Sequence, residues 1–524
     1  MDHINQRDRI ILMILSAVFI VLASVVLGNK TNLHGDEVFT YGLSNHPYIH
    51  TFNIKAEEGT VYTPADTLWN EYMQVQPGHQ FDYRNVWKNQ EADVHPPLYY
   101  ALVHTVSSFF PGQYSVWFAG SVNIVFGVLV IVCVFFLSFE LFGKKTYAFI
   151  TTIFFMCSAG MLSSVSYLRM YVMAMFWCCL VTYLLVRYFH EGGTKKFYRR
   201  LYAVTALGIL THYYFLIYLF FLACVFCVML LIEKQYKNTG KFCAAVVLGG
   251  VTAVAVFPHI LQHILGGQRG SEAASNLTAG TLSDYLGQLK TFFDFGNEQL
   301  FGNLGIVLAV VFILAVIIGK KRGQKIQADK KIFLLLIPSL CYFVLISKIA
   351  AYVSDRYLQP IYPMVFILGA YALSVIGRNI LSEKRVAVVM FSGAVVLTAT
   401  GLWFCQWPYL YRDSEALLQR SKNLSDYLCV YIYGDTWQGW KVQPSFYEVR
   451  NYRSVVFVSQ ENLELLDTMN LKEEDGIVVS IINTCDQDAV FEKLESFYGE
   501  GMKAERIGNY SYTTSYVIEN DSGS

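Results

Sequence analysis

The sequence predicts an α-helical polytopic membrane protein that ends in a small α/β domain. Its 524 residues are 54% hydrophobic and only 15% charged, whereas soluble domains carry about 25% charged residues. Apolar runs long enough to cross a bilayer recur as far as residue 405. After that point, short apolar runs alternate with helix-like polar segments, which is typical of an α/β sandwich.

Net charge and cysteine usage exclude some classes of function. The chain has 40 basic and 40 acidic residues, so no nucleic-acid partner is predicted. Nine of the eleven cysteines lie in apolar runs without the spacing of metal ligands. The other two, Cys429 and Cys485, lie in the tail, and the sequence leaves open whether they form a disulfide.

The first apolar run, 10–28, follows Arg7 and Arg9 and is predicted to be an uncleaved anchor. We expect about eleven transmembrane helices, because a crossing needs roughly 20 apolar residues. The later ones are predicted at 115–142, 146–165, 168–189, 199–212, 213–232, 241–260, 301–319, 331–350, 356–377 and 385–405. The run 98–110 is too short to cross and is placed at the outer surface.

The distribution of basic residues sets the predicted orientation. Lys and Arg collect in short cytoplasmic loops, and every predicted cytoplasmic loop is basic: 143–145, 190–200, 233–241, 320–331 and 378–385. The first loop and the tail are then extracytoplasmic in the cell (plasma) membrane. The predicted orientation depends on dividing the long run 201–232 into two spans near Thr211. If this run formed one kinked span, the orientation of every later segment would be reversed.

We predict two domains. Residues 1–405 form the transmembrane domain, which includes the first extracytoplasmic loop, 29–97, and residues 406–524 form the C-terminal α/β domain. In the tail, Asp486 and Asp488 copy a DxD metal motif. Their place between a strand and a helix favours an N-cap instead.

Two adjacent carboxylates, Asp36 and Glu37, follow the first span directly. Ionisable groups at a membrane are costly unless they have a partner or a role, so they are candidate functional residues. The alternative is the solvated start of a loop.

Other polar residues that are unusual for their apolar surroundings all fall on the predicted outer face, and one outward-facing site is the simplest explanation. These candidate donor-binding residues are His95, Arg169, Tyr171, His212, Lys348, Arg356 and Tyr357. Each has an ordinary alternative. The two prolines after His95 can simply break the chain, the arginines can snorkel, and His212 can be a satisfied core histidine.

Carboxylates facing several cations and tyrosines at an outer membrane surface suit sugar transfer from a lipid donor. Nucleotide sugars are absent outside the cell, so the activated donor must be a lipid such as a polyprenyl phosphate sugar. Arginine matches phosphate geometry and stabilises the leaving group. A carboxylate can deprotonate the acceptor as general base.

The same residues resemble a known family, the glycosyltransferase-C superfamily, over about residues 5–375. The matching segments are the acidic pair 36–37, HPPL at 95–98, YLRMY at 167–171, THYY at 211–214 and DRYLQP at 355–360. They are most similar to the bacterial protein O-mannosyltransferase and aminoarabinose transferase group. The resemblance implies that Asp36 is the catalytic base with Glu37 beside it, and that Arg169 and Arg356 bind the donor phosphate. It implies no cofactor, and a divalent metal stays open.

The predicted function is therefore a membrane glycosyltransferase. It would move a sugar from a polyprenyl-phosphate donor to an extracytoplasmic acceptor, which could be a protein, a lipid or a cell-wall glycan, by inverting displacement. The alternative is a flippase, ligase or transporter for the same lipids. A transporter usually has repeated halves and midplane sites, and the sequence shows no repeat.

Overall fold

A computed structural model of the protein describes residues 5–47, 54–323, 329–381, 385–499 and 502–519, apart from the side chain of residue 472. Parts of the predicted loops 320–331 and 378–385 therefore lie outside the described residues. The described chain is mostly helical. In the first half the helices are α1 Gln6–Gly28, α2 Gly35–Asn45, α3 Thr67–Met73, α4 Tyr83–Ala92, α5 Leu98–Ser108, α6 Val116–Phe142, α7 Lys145–Met156, α8 Ala159–Ser166, α9 Tyr171–Glu191, α10 Lys195–Ile209, α11 Tyr213–Ile232 and α12 Tyr236–Val256.

The second half adds shorter helices and most of the strands. Its helices are α13 His259–Leu265, α14 Gln268–Thr278, α15 Leu282–Phe301, α16 Gly305–Lys321, α17 Phe333–Ile349, α18 Tyr362–Ile380, α19 Val386–Phe404, α20 Glu415–Lys422, α21 Gly439–Val442, α22 Phe446–Val449 and α23 Gln487–Tyr498. The strands of the whole chain are β1 Val61–Tyr62, β2 Leu428–Tyr433, β3 Ser454–Ser459, β4 Gly476–Ile482, β5 Ala504–Tyr510 and β6 Thr513–Glu519.

The chain is a multi-pass membrane protein. Within the described residues, eight helices are long and apolar enough to cross a bilayer, and two bent pairs bring the number to ten. The pairs are α7 with α8, bent by 49°, and α15 with α16, bent by 80°. The sequence predicts about eleven, and the extra one is α10, whose 15 residues extend only about 22 Å. The predicted break near Thr211 is confirmed, since α10 ends at Ile209 and α11 begins at Tyr213.

The chain forms two compact units. The helical unit comprises Met1–Gly28, Val94–Tyr99 and Gly120–Trp407, and the α/β unit comprises Asn29–Asp93, Tyr100–Ala119 and Pro408–Ser524. The first loop thus belongs with the tail, whereas the sequence-based boundary leaves it in the transmembrane domain. Strand β1 of the loop pairs antiparallel with β3 of the tail, Val61 opposite Val456. A two-residue strand carries no periodic signal from which this pairing could be read.

The α/β unit contains a six-stranded sheet in the order β1-β3-β2-β4-β6-β5. Strands β3, β2 and β4 are mutually parallel neighbours, and β6 and β5 complete the sheet antiparallel. Every residue of β2, β3 and β4 is buried, as expected of parallel strands covered on both faces. The predicted C-terminal α/β domain is confirmed. Asp486 caps α23 through Oδ1, as predicted.

A buried carboxylate lies in this unit. Glu448 is 2% exposed, and its Oε1 accepts a hydrogen bond of 2.9 Å from the Tyr452 hydroxyl. Burial raises the pKa of Glu448, although hydrogen bonds from Ser515, Tyr452 and Ser480 oppose the shift. The protonated form is therefore favoured in the folded unit relative to the unfolded chain.

We expect Glu448→Gln to stabilise the protein at neutral pH. A group whose pKa is higher in the folded state contributes its stability below the unfolded pKa, near 4.5, and loses it as pH rises through the folded value. The amide removes this loss, so Tm at pH 7.5 should rise by about 2–4 °C with little change near pH 4. Thermal unfolding followed by circular dichroism across this range tests it, with exposed Glu464→Gln as the control. Parallel pH profiles for wild type and Glu448→Gln would contradict it.

Candidate functional site

The two predicted catalytic carboxylates lie in the first turn of α2. His34 is the N-cap, and its Nδ1 accepts a hydrogen bond of 3.1 Å from the backbone N–H of Asp36. The Glu37 carboxylate returns to the cap and accepts the His34 backbone N–H at 2.8 Å. This reciprocal capping box satisfies donors that a helix start otherwise leaves without partners.

Glu37 is fully buried in an ion pair with Lys30. Their side chains are 0% and 1% exposed, and Nζ lies 2.9 Å from Oε1. Lys30 also donates to the Tyr409 carbonyl at 2.5 Å, and Nζ lies 4.6 Å from the Tyr411 ring centroid. Burial lowers the pKa of Lys30, and the Glu37 charge opposes this shift. Sequence reasoning missed Lys30, although a lysine directly after the first span was a signal that could have found it.

Asp36 has a different environment from its neighbour. Its side chain is 32% exposed, and Oδ2 lies 3.8 Å from His34 Nδ1. Asp36 is therefore the carboxylate of the pair that solvent can reach.

The rest of α2 is held tightly inside the α/β unit. A Cβ at Gly42 would lie 1.9 Å from the Tyr72 ring, so only glycine allows this approach. The Tyr41 hydroxyl donates to the Ser115 carbonyl at 2.9 Å. From the tail, the Tyr510 hydroxyl donates to the Leu33 carbonyl at 2.9 Å. The backbone that carries Asp36 is thus fixed by both the first loop and the tail.

The helical unit brings most of the other predicted residues into one group, which we call the basic-aromatic cluster. It lies where helices begin or end: at the break between α8 and α9, at the break between α10 and α11, and in a 3-10 turn, Asp355–Ile361. Its members are His95, Tyr167, Arg169, Tyr171, His212, Tyr214, Arg356 and Tyr357.

Arg356 is enclosed by tyrosines. It is 9% exposed, and Nη1 donates to the Tyr167 hydroxyl at 2.5 Å while Nη2 donates to the Tyr357 hydroxyl at 3.4 Å. Its guanidinium carbon lies 5.1 Å from the Tyr357 ring centroid. Cation–π contact and hydrogen bonds together fix the orientation of the guanidinium.

Arg169 lies beside two histidines. It is 4% exposed, and Nη2 lies 3.5 Å from His95 Nε2. The His95 ring is 5.9 Å from the His212 ring, which in turn lies 5.2 Å from the Tyr171 ring. Burial lowers the pKa of His212, and the nearby cations lower it further.

His212 also has a structural role. It is the N-cap of α11, and its Nδ1 accepts the Tyr214 backbone N–H at 3.0 Å. Asn123 supports the neighbouring segment, because its side-chain amide donates to the Tyr167 carbonyl at 2.7 Å. Sequence reasoning did not single out Tyr167, although it lies inside the motif YLRMY.

Lys348 is a predicted donor-binding residue that contacts residues outside the basic-aromatic cluster. Its Nζ donates to the Ala279 carbonyl at 2.5 Å and lies 5.5 Å from the Tyr285 ring centroid. These contacts join the end of α17 to the end of α14 and to the first turn of α15. Lys348 therefore has a structural explanation for its position.

Comparison with known proteins gives a match in structure. No protein-family model and no curated protein sequence matches the chain. ArnT from Cupriavidus metallidurans bound to undecaprenyl phosphate is similar at a TM-score of 0.53 and 12% identity, over 98% of each chain. The same ArnT in the apo state gives a TM-score of 0.51 at 12% identity, over 96% of this chain and 97% of that one. An oligosaccharyltransferase from Archaeoglobus fulgidus has a TM-score of 0.44 at 12% identity, over 97% of this chain and 73% of that one.

The likeness to ArnT extends over both chains almost completely, so it concerns the whole architecture. The predicted multi-pass helical fold is confirmed, and the chain shares the fold of ArnT from Cupriavidus metallidurans.

Proposed function

We propose that the protein is a membrane glycosyltransferase that uses a polyprenyl-phosphate-linked sugar as donor and an extracytoplasmic molecule as acceptor. The observation that carries the proposal is the basic-aromatic cluster, where two buried guanidiniums and two histidines come together at helix ends. It occurs in a fold shared with ArnT from Cupriavidus metallidurans, which has been solved with undecaprenyl phosphate.

In this proposal the cluster binds the donor phosphate. The guanidiniums of Arg169 and Arg356 present forked N–H donors, which match phosphate oxygens bidentately. His95 and His212 lie beside Arg169 and add donors or positive charge once an anion is present. After burial, the nearby cations also lower the pKa of His212, and their positive charge stabilises the charge that develops on a departing phosphate.

Asp36 acts as the general base. It takes the proton of the acceptor nucleophile, whose atom forms a bond to the anomeric carbon of the donor sugar. The bond from that carbon to the phosphate oxygen breaks, and its electron pair leaves on the polyprenyl phosphate. One displacement inverts the anomeric centre. The proposal includes hexosyl and pentosyl donors, mannose among them.

The function is tested by incubating purified protein in lipid nanodiscs with a panel of radiolabelled polyprenyl phosphate sugars and an extract of cell-envelope acceptors. We expect release of polyprenyl phosphate together with label in an acceptor. Binding or translocation of the lipid without transfer of label from any donor would overturn the proposal in favour of a flippase or transporter.

A parity argument supports placing the first loop and the tail on the same side of the membrane. Strand β1 of the first loop pairs with β3 of the tail, so both segments lie on the same side of the membrane. An even number of crossings must therefore separate them. Within the part of the chain that the structure describes, nine candidate spans follow α1 if each bent pair counts once. Counting α10 as a short crossing makes ten, which agrees with the predicted total of about eleven.

We expect cysteine labelling to confirm this orientation. In a cysteine-free background, single cysteines replacing Lys55 and Glu464 should react with an impermeant maleimide in intact cells. A cysteine replacing Lys237 should react only after permeabilisation, because its basic loop is predicted to be cytoplasmic. Labelling of only one of positions 55 and 464 in intact cells would contradict the inference that the first loop and the tail lie on the same side of the membrane.

A further inference from the structure

The carboxyl ends of the parallel strands carry a surface to which the proposed function gives no role. The chain passes from β2 to β3 on one side, and β4 then lies on the other side of β2. In open α/β sheets such a reversal leaves a crevice beyond the carboxyl ends of the strands, and ligands bind there. Residues 434–441 follow β2, and residues 483–486 follow β4.

Two aromatic side chains at this edge are exposed to solvent. Trp440 is 43% exposed and Tyr512 is 38% exposed. Their rings meet edge to face, with centroids 5.1 Å apart and planes at 79°. We call this pair the aromatic corner. Exposed tryptophan and tyrosine side chains that pack against each other are typical of binding surfaces rather than of a solvated loop.

Polar side chains lie at the same edge of the sheet as the aromatic corner. Lys441 Nζ lies 5.5 Å from the Trp440 ring centroid. Gln460 donates through Nε2 to Asp435 Oδ1 at 2.6 Å, and its Oε1 accepts the Asp486 backbone N–H at 3.1 Å. This edge of the sheet therefore combines an apolar aromatic surface with planar amide and carboxylate groups and one ammonium group.

The aromatic corner adjoins the helix start that carries Asp36. A Cβ at Gly35 would lie 3.7 Å from the Trp440 carbonyl oxygen. On the other side, Tyr510 in the same β5–β6 hairpin as Tyr512 donates to the Leu33 carbonyl at 2.9 Å. Both members of the corner thus come from segments that touch the backbone next to Asp36, and all of them belong to the α/β unit.

We propose that the acceptor is a carbohydrate whose sugar ring binds at the aromatic corner; this rests on the proposed function. A pyranose ring has an apolar face of C–H groups, which an aromatic face attracts through its negative quadrupole. Its hydroxyls each donate and accept, which the amide, carboxylate and ammonium groups around the corner match. A hydroxyl of this acceptor gives its proton to Asp36 and forms the new bond to the donor's anomeric carbon, as the phosphate leaves with the bonding electron pair.

The rival explanation for the pair is an aromatic belt that anchors the unit at the membrane surface. The two explanations predict different binding of oligosaccharides. A carbohydrate site binds a free oligosaccharide, whereas a membrane anchor has no affinity for one. Trp117 provides a matched control. It is 41% exposed and lies at the start of span α6, where an interfacial anchor is expected.

The test uses the full-length protein in lipid nanodiscs, applied to a printed array of free oligosaccharides. We expect wild type and Asp36→Asn to bind the same subset of glycans, because binding does not need the base. Trp440→Ala should lower the affinity for that subset at least tenfold, and Trp440→Phe should restore part of it. Trp117→Ala should bind like wild type. Tm values of all variants show whether Trp440→Ala has folded. Tyr512→Ala removes the other ring of the aromatic corner and should also lower the affinity for these glycans.

Two results would overturn the proposal. One is no binding of any oligosaccharide by wild type and Asp36→Asn, and the other is glycan binding that Trp440→Ala and Tyr512→Ala leave unchanged. In either case release of polyprenyl phosphate from the donor panel would show that the glycosyltransferase function still stands. Glycan binding lost in Trp440→Ala, in a protein that never consumes a donor, would support the carbohydrate site while the transfer function fails.

Discussion

Asp36→Asn is expected to lower the rate of sugar transfer by about 10²–10⁴-fold, the usual contribution of a general base. Asparagine has nearly the same shape but cannot accept the proton of the acceptor. The cap of α2 uses the Asp36 backbone N–H, and the Asp36 side chain is 32% exposed. The fold should therefore persist, and a fluorescent polyprenyl phosphate should bind as in wild type.

Glu37 provides the matched control, since it is the adjacent carboxylate with a different environment. Glu37→Gln leaves Lys30 buried without its counter-charge, and breaking such a pair costs about 3–5 kcal/mol. We expect a lower Tm for Glu37→Gln and for Lys30→Met, with partial recovery in a double variant that replaces both by methionine. Asp36→Asn should change activity without changing Tm. Wild-type turnover in Asp36→Asn would remove this residue from the catalytic role.

Arg356→Ala is expected to raise the donor KM by roughly ten- to a hundredfold. Each charge-assisted hydrogen bond contributes about 1.5–3 kcal/mol, and every 1.4 kcal/mol is a factor of ten in affinity. Arg356→Lys should give a smaller increase, because lysine keeps the charge but loses the fork that binds two phosphate oxygens. Kinetics with a fixed acceptor and varied donor, on purified variants, measure both effects.

Lys348→Ala is the control for Arg356, because Lys348 was predicted to bind donor but donates to Ala279 in the structure. It should leave the donor KM unchanged. The structural alternative for Arg356 is that its hydrogen bonds to Tyr167 and Tyr357 only hold the 3-10 turn against the α8–α9 break. A reduced Tm with an unchanged donor KM in Arg356→Ala would favour that alternative and defeat the phosphate-binding role.

Much of the site could be predicted because its residues lie in short motifs next to helix ends. His95, Arg169, Tyr171, His212, Arg356 and Tyr357 were singled out as polar residues at the margins of apolar runs, and the structure brings them into one cluster. A span must be apolar and helical because lipid offers its backbone no hydrogen bonds. The polar residues that interrupt the pattern are therefore visible in the sequence itself.

The sequence by itself determined the membrane class, the positions of most spans, the α/β character of the tail and the acidic pair that begins α2. These depend on composition and on periodicity over about 20 residues, so a local pattern is sufficient. Only the tertiary structure decided that Glu37 is buried against Lys30 while Asp36 is exposed, and that Lys348 contacts Ala279. It also decided that the first loop belongs with the tail through a two-residue strand. Burial and pairing between distant segments depend on contacts that no local pattern records, so two adjacent carboxylates look alike in sequence and differ once the chain has folded around one of them.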